Sequence, residues 1–290
     1  MTEIDQLDPL NRSLGKYLII AFAFSWTFWL PSLLATYAII PQSPLYNLLL
    51  IIGSFGPLIA GFSLTIKEGG IEGGIELWKK GFHCNKKSFF LISISLIPLL
   101  CIISLLLASI SDEGVLFLYF RLYDFRQGYI LTEIFVLFLF TGPFQEEFGW
   151  RGYALCYLQS KMNAFEASLI LGGIWSVWHF PLFLINETAY FGQNFYGFTV
   201  YLLALSILFT WLNNNTNGSI LVAILFHTSI NVTSALFLQR VSPLGSIYFI
   251  ILLDVVMIAI IVIFGKDTLK RSDKNNRKGK STIKLTQKAY

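Results

Sequence analysis

Charged residues are scarce in this chain: Asp, Glu, Lys and Arg make up 13% of its 290 residues, against roughly 25% in soluble domains. Hydrophobic residues supply 55%, and the mean hydropathy is +0.64. That balance excludes an ordinary soluble domain and points to a polytopic membrane protein. Cysteine is sparse too. Cys84, Cys101 and Cys156 match no metal or redox spacing, and an odd number cannot all pair within one chain. They read as small hydrophobes. No internal repeat is visible, so the inverted-repeat signature of many transporters is missing. The HExxH helix of common zinc proteases is missing as well.

What the chain has in quantity is apolar runs near the ~20 residues that a helix needs to cross a bilayer. Eight spans are predicted, at 17–40, 45–66, 88–110, 128–159, 167–184, 195–212, 218–237 and 245–265. The first is uncharged and about twice the length of a signal-peptide core, so it reads as a retained span. Gly53, Gly56-Pro57 and Gly61 are expected to kink the second and to allow close helix contact. Residues 67–87 hold five lysines and three glutamates and suit an interfacial amphipathic segment.

The expected organisation is an N-terminal segment, 1–16, a single transmembrane domain, 17–265, and a basic tail, 266–290. With an even number of spans, 67–87 and the tail fall on the same side, and the positive-inside rule places both termini in the cytoplasm. The tail reads as a topogenic, lipid-facing segment rather than a nucleic-acid arm. The bilayer is therefore an expected partner, and nucleic acid is not.

Against this background, ionisable residues inside spans stand out, because a charge at the bilayer centre costs about 2.5 kcal/mol or more. Glu146 and Glu147 are adjacent, and Arg151 follows Glu147 by four residues. On a helix that spacing lets Glu147 pair with Arg151 while Glu146 points about 100° away. Glu146 is then the candidate general base. The alternative is a charge network that only fixes helix packing. His179 follows Trp175 by one turn, and His227 and Asn231 share a helical face. Each alone is accounted for by hydrogen bonding between helices. Together, a base, two imidazoles and an amide on three spans are the parts for water activation and oxyanion stabilisation. Glu146, His179 and His227 can also hold zinc with an open position for water. Asp254 and Glu133 are expected to face a neighbouring helix or an aqueous vestibule, and His83 lies in the basic loop.

The motifs EExxxR (Glu146, Glu147, Arg151), aromatic-xxx-His (Trp175, His179) and HxxxN (His227, Asn231) run in this order over roughly 140–235. Together they resemble the CAAX protease and bacteriocin-processing (CPBP) family of intramembrane endopeptidases, with a core at about 128–238. The N-terminal half agrees in hydropathy and in the stretch SFGPLIAGF. The resemblance implies an all-α polytopic membrane protein of about eight transmembrane helices with a membrane-embedded catalytic cavity. It implies hydrolysis of a peptide bond in a peptide or protein substrate. Eukaryotic members trim lipidated CAAX proteins, and many bacterial relatives serve peptide maturation or self-immunity.

By position, the resemblance implies that Glu146 and His179 activate water and that His227 and Asn231 stabilise the oxyanion. Glu147 and Arg151 would hold the site together as an ion pair. Trp175, where eukaryotic members more often have Phe, would line the cavity and alter its fit to substrate. Zinc on Glu146, His179 and His227 is the implied cofactor, beside a metal-free glutamate mechanism. The peptide is expected to reach the cavity from the membrane or the cytoplasm. Two other classes stay open: a non-catalytic immunity or scaffold protein, and a proton-coupled transporter using the Glu and His residues as a relay.

Overall fold

The computed structural model describes residues 9–84, 86–111, 142–235 and 243–270. Glu133, the entry to the fourth predicted span and most of the basic tail lie outside them. Among the described residues every regular element is a helix. In chain order these are α1 (Pro9–Thr36), α2 (Leu45–Gly53), α3 (Gly56–Lys80), α4 (Lys87–Ser111) and α5 (Pro143–Gly149). A π-helical turn, Trp150–Ala154, leads into α6 (Leu155–Lys161) and α7 (Ala164–His179), which a 3-10 turn, Phe180–Leu184, closes. The last three are α8 (Phe195–Asn215), α9 (Ile220–Thr233) and α10 (Pro243–Phe264).

The protein is all-α and polytopic, but the described residues supply five helices that can cross a membrane, or six, rather than eight. The five are Ser13–Thr36, Lys87–Ile110, Ala164–Leu184, Phe195–Asn215 and Pro243–Phe264. The sixth is the α2 and α3 pair, bent by 41° where Ser54 and Phe55 break it, just ahead of Pro57. The fourth predicted span lies partly outside the described residues. The seventh contains α9, 14 residues long, and helical backbone continues through 234–235 to the edge of the described residues. Residues 67–80 continue α3, which is interrupted only at Gly70 (φ 65°, ψ −170°), a backbone conformation that glycine reaches without a steric penalty.

Local chemistry sets where the site-bearing helices begin. Asn163 Oδ1 accepts from Glu166 N, Asn194 Oδ1 from Tyr196 N and Gly197 N, and Ser219 Oγ from Val222 N, as N-caps of α7, α8 and α9. Helix α7 stops at His179 and passes directly into the 3-10 turn that holds Pro181 near its start.

Small residues let α3 reach α5. A Cβ on Gly61 would lie 3.1 Å from Gly149 Cα, and one on Gly149 would overlap the Pro57 carbonyl. Beneath them lies an aromatic core of Trp29, Trp150 and Trp178, with the Trp29 and Trp178 rings 4.8 Å apart. Trp178 Nε1 is satisfied by Ser25 Oγ at 2.9 Å, as a buried indole N–H requires.

Hydrogen bonds tie each end of the bundle. At one end Ala164 N donates to the Asp267 carbonyl at 2.9 Å, Asn215 Nδ2 to the Leu269 carbonyl at 2.7 Å, and Ser219 Oγ to the His83 carbonyl at 2.5 Å. At the other, Thr36 Oγ1 donates to Asn186 Oδ1 at 3.0 Å.

Candidate active site

The site begins at Gly142, whose φ of 118° lies in the region that favours glycine. Its amide donates to Gln145 Oε1 at 3.3 Å, and its carbonyl accepts from Glu146 N at 2.7 Å, starting α5. A Cβ on Gly142 would collide with Glu146 Oε1 and sit 3.6 Å from His227 Cε1. Two side chains distant in sequence therefore converge on the bare face of this glycine.

Glu147 points the other way. It is fully buried, and its Oε1 accepts from Arg151 Nη1 at 2.9 Å and from His227 Nδ1 at 2.7 Å. Arg151 lies in the π-helical turn, a distortion frequent at functional sites. Its guanidinium is stacked between two aromatic rings, Cζ lying 3.7 Å from the Phe209 centroid and 4.5 Å from that of Trp175. Among the described residues Glu147 Oε2, Arg151 Nε and Arg151 Nη2 have no hydrogen-bond partner. A carboxylate only accepts, so His227 Nδ1 carries the proton of that bond and Nε2 is left for the other side of the ring.

Trp175 organises the rest. Its Nε1 donates to Glu146 Oε2 at 2.6 Å, and its carbonyl accepts from His179 Nδ1 at 2.8 Å. His179 Nε2 thereby keeps its lone pair in the neutral ring. Aromatic rings enclose this imidazole: Trp178 at 4.8 Å, Phe198 at 5.3 Å and Tyr190 at 5.5 Å between centroids.

Glu146, Trp175, His179, His227 and Asn231 all line one cavity of about 680 Å³. Glu147 and Arg151 do not line it; they lie behind Glu146 and His227. The structure thus places Glu146 at the cavity wall and gives Glu147 the cation, as helical phase requires of adjacent residues. Asp254 and His83 do not line the cavity.

Residues 128–233 match the family described as type II CAAX prenyl endopeptidase, Rce1-like, and every motif residue falls within that stretch. Over 239 residues, 76% of this chain and 83% of the relative, the sequence is 29% identical to CAAX prenyl protease 2 of Methanococcus maripaludis. Both likenesses are to CAAX prenyl endopeptidases. The chain is also 32% identical to lysostaphin resistance protein A of Staphylococcus haemolyticus, over 123 residues that make 41% of this chain and 32% of that protein.

The zinc ligands implied by the sequence do not form a ligating group. Among the described residues no three His, Cys, Asp or Glu side chains are gathered as metal ligands. His227 Nδ1 is turned to Glu147, His179 Nδ1 to a backbone carbonyl, and Glu146 Oε2 to an indole. Zinc-bound imidazoles make the same kind of bond, so the misfit rests on spacing: among the described residues these donors are not gathered around one point.

Sequence reasoning missed several partners. The bond from Trp175 to Glu146 joins residues 29 apart, and that from His227 to Glu147 joins residues 80 apart, so helical spacing carried no trace of either. Tyr190 lies in the connector after α7 with no periodic signal. The positive φ of Gly142 had one clue, a glycine directly before a proline.

Proposed function

We propose that this intramembrane endopeptidase cuts its peptide with a water molecule activated by Glu146 and His179, with no metal ion in the step. The observation that carries this reading is that four polar side chains from three helices, Glu146, His179, His227 and Asn231, line one cavity. The charge pair that supports them stands outside it.

In this reading Trp175 Nε1 holds Glu146 Oε2, and Oε1 takes a proton from the water while His179 Nε2 accepts its other hydrogen. The water oxygen bonds to the scissile carbonyl carbon, and the carbonyl π pair moves onto its oxygen. Asn231 and, in its protonated form, His227 Nε2 donate to that oxyanion. The proton held by Glu146 then passes to the leaving nitrogen as the C–N bond breaks. Glu147 keeps the Nδ1 proton of His227 in place, and Arg151 Nη1 holds the same Glu147 oxygen.

The substrate is a peptide or protein, and we read it as one carrying a lipid chain. Trp29, Leu50, Ile51 and Leu205 form an apolar wall of the cavity, suited to an alkyl chain beside the reacting bond. The relative named as a prenyl protease supports the same reading.

Purified protein in lipid should cleave a farnesylated peptide, and Glu146→Gln should abolish cleavage with the folded yield near that of the parent. Full turnover by Glu146→Gln would sink the mechanism. A biological phenotype that survives this substitution would mark a binding or immunity role instead. Turnover is also expected to persist in 1,10-phenanthroline. Inhibition that added zinc reverses would bring the metal into the reaction.

A further inference from the structure

The described lysines gather at one end of the bundle. Lys16, Lys67, Lys80, Lys87, Lys161 and Lys270 lie near the start of α1, at the middle and end of α3, at the start of α4, at the end of α6 and after α10. This is the end held by the Ala164–Asp267 and Ser219–His83 hydrogen bonds. The opposite end, held by Thr36 and Asn186, differs in kind: its connectors 37–44 and 185–194 contain no lysine or arginine. In the eight-span path, Arg121, Arg126 and Arg240 are the cations added there, all outside the described residues.

The cavity belongs to the lysine-free end. Thr188, Tyr190, Gln193 and Asn194 of connector 185–194 line it, and so do Ser234 just past α9 and Ile250 near the start of α10. None of the named lysines lines it.

Lysine and arginine in short loops are retained on the cytoplasmic side of a membrane. We infer that the cavity opens away from the cytoplasm and takes its peptide from the outer face of the membrane. The substrate class is then an exported or surface-exposed peptide rather than a cytoplasmic protein. Of the two routes expected from the sequence, membrane or cytoplasm, this keeps the membrane and replaces the cytoplasm. It rests on the proposed Glu146 chemistry for what happens to the peptide, while the side of entry rests on charge and connectivity.

Cysteine labelling tests the side without requiring turnover. In full-length protein with Cys84, Cys101 and Cys156 replaced by Ala, Glu187→Cys or Lys270→Cys is exposed to a membrane-impermeant maleimide in intact cells. Glu187→Cys is expected to label in intact cells, and Lys270→Cys only after permeabilisation, at least about tenfold apart. The reverse pattern, equal labelling of the two, or a Glu187→Cys that labels only after permeabilisation would overturn the inference. Gln193→Cys reports on the same connector if Glu187→Cys lowers expression. Added Glu146→Gln should leave the labelling pattern unchanged, so failure of the catalytic assignment and failure of the sidedness are read separately.

Discussion

At the scale of single residues, Trp175 carries more of the site than an apolar lining residue would. Its N–H holds one oxygen of Glu146, its carbonyl sets the tautomer of His179, and its ring receives Arg151. Trp175→Phe keeps the carbonyl and most of the ring while removing the N–H. A hydrogen bond to a charged group contributes about 1.5–3 kcal/mol, so kcat should fall roughly tenfold to a hundredfold with KM little changed. Steady-state kinetics on the folded variant decide this, and an unaltered kcat would mean that Glu146 needs no such anchor. The Glu147–Arg151 contact was legible because both partners lie on one helical run, where four residues make a turn. His227 as a second partner of Glu147 was not, since α5 and α9 meet only through tertiary packing.

At the scale of elements, the contact between α3 and α5 positions Glu146 and Glu147, and it depends on the absence of a Cβ. Gly149→Ala would press a methyl group into the Pro57 carbonyl, an overpacking that costs about 1–3 kcal/mol. Gly173→Ala on α7 meets nothing within 4 Å and serves as the control. Thermal unfolding in detergent should show a lower midpoint for Gly149→Ala alone, and equal midpoints would contradict the close packing. The bend between α2 and α3 was readable from Gly53, Gly56 and Pro57, because glycine and proline act on the local backbone. The exact bounds of the helices were not. When lipid-facing and core-facing sides are both apolar, hydropathy shows that a run is buried somewhere but not where its helix ends.

At the scale of the whole molecule, the inferred orientation turns the lysine-bearing end to the cytoplasm. We read both termini as cytoplasmic, since α1 starts and α10 finishes at that end. A reporter that fluoresces only in the cytoplasm is expected to be active when fused at either terminus, and activity at one terminus alone would break the even-span path. The amino-acid sequence by itself determined the class of solvent, the all-α architecture and the ordered motifs, because composition and helical spacing are local properties of a chain. Helical phase alone also separated the Glu146 and Glu147 directions. Tertiary structure decided which side chains meet Glu146, that Glu147 serves His227 as well as Arg151, and at which end the cavity lies. Those contacts join residues many turns apart, and only the packing of helices across the bundle brings them within hydrogen-bonding distance.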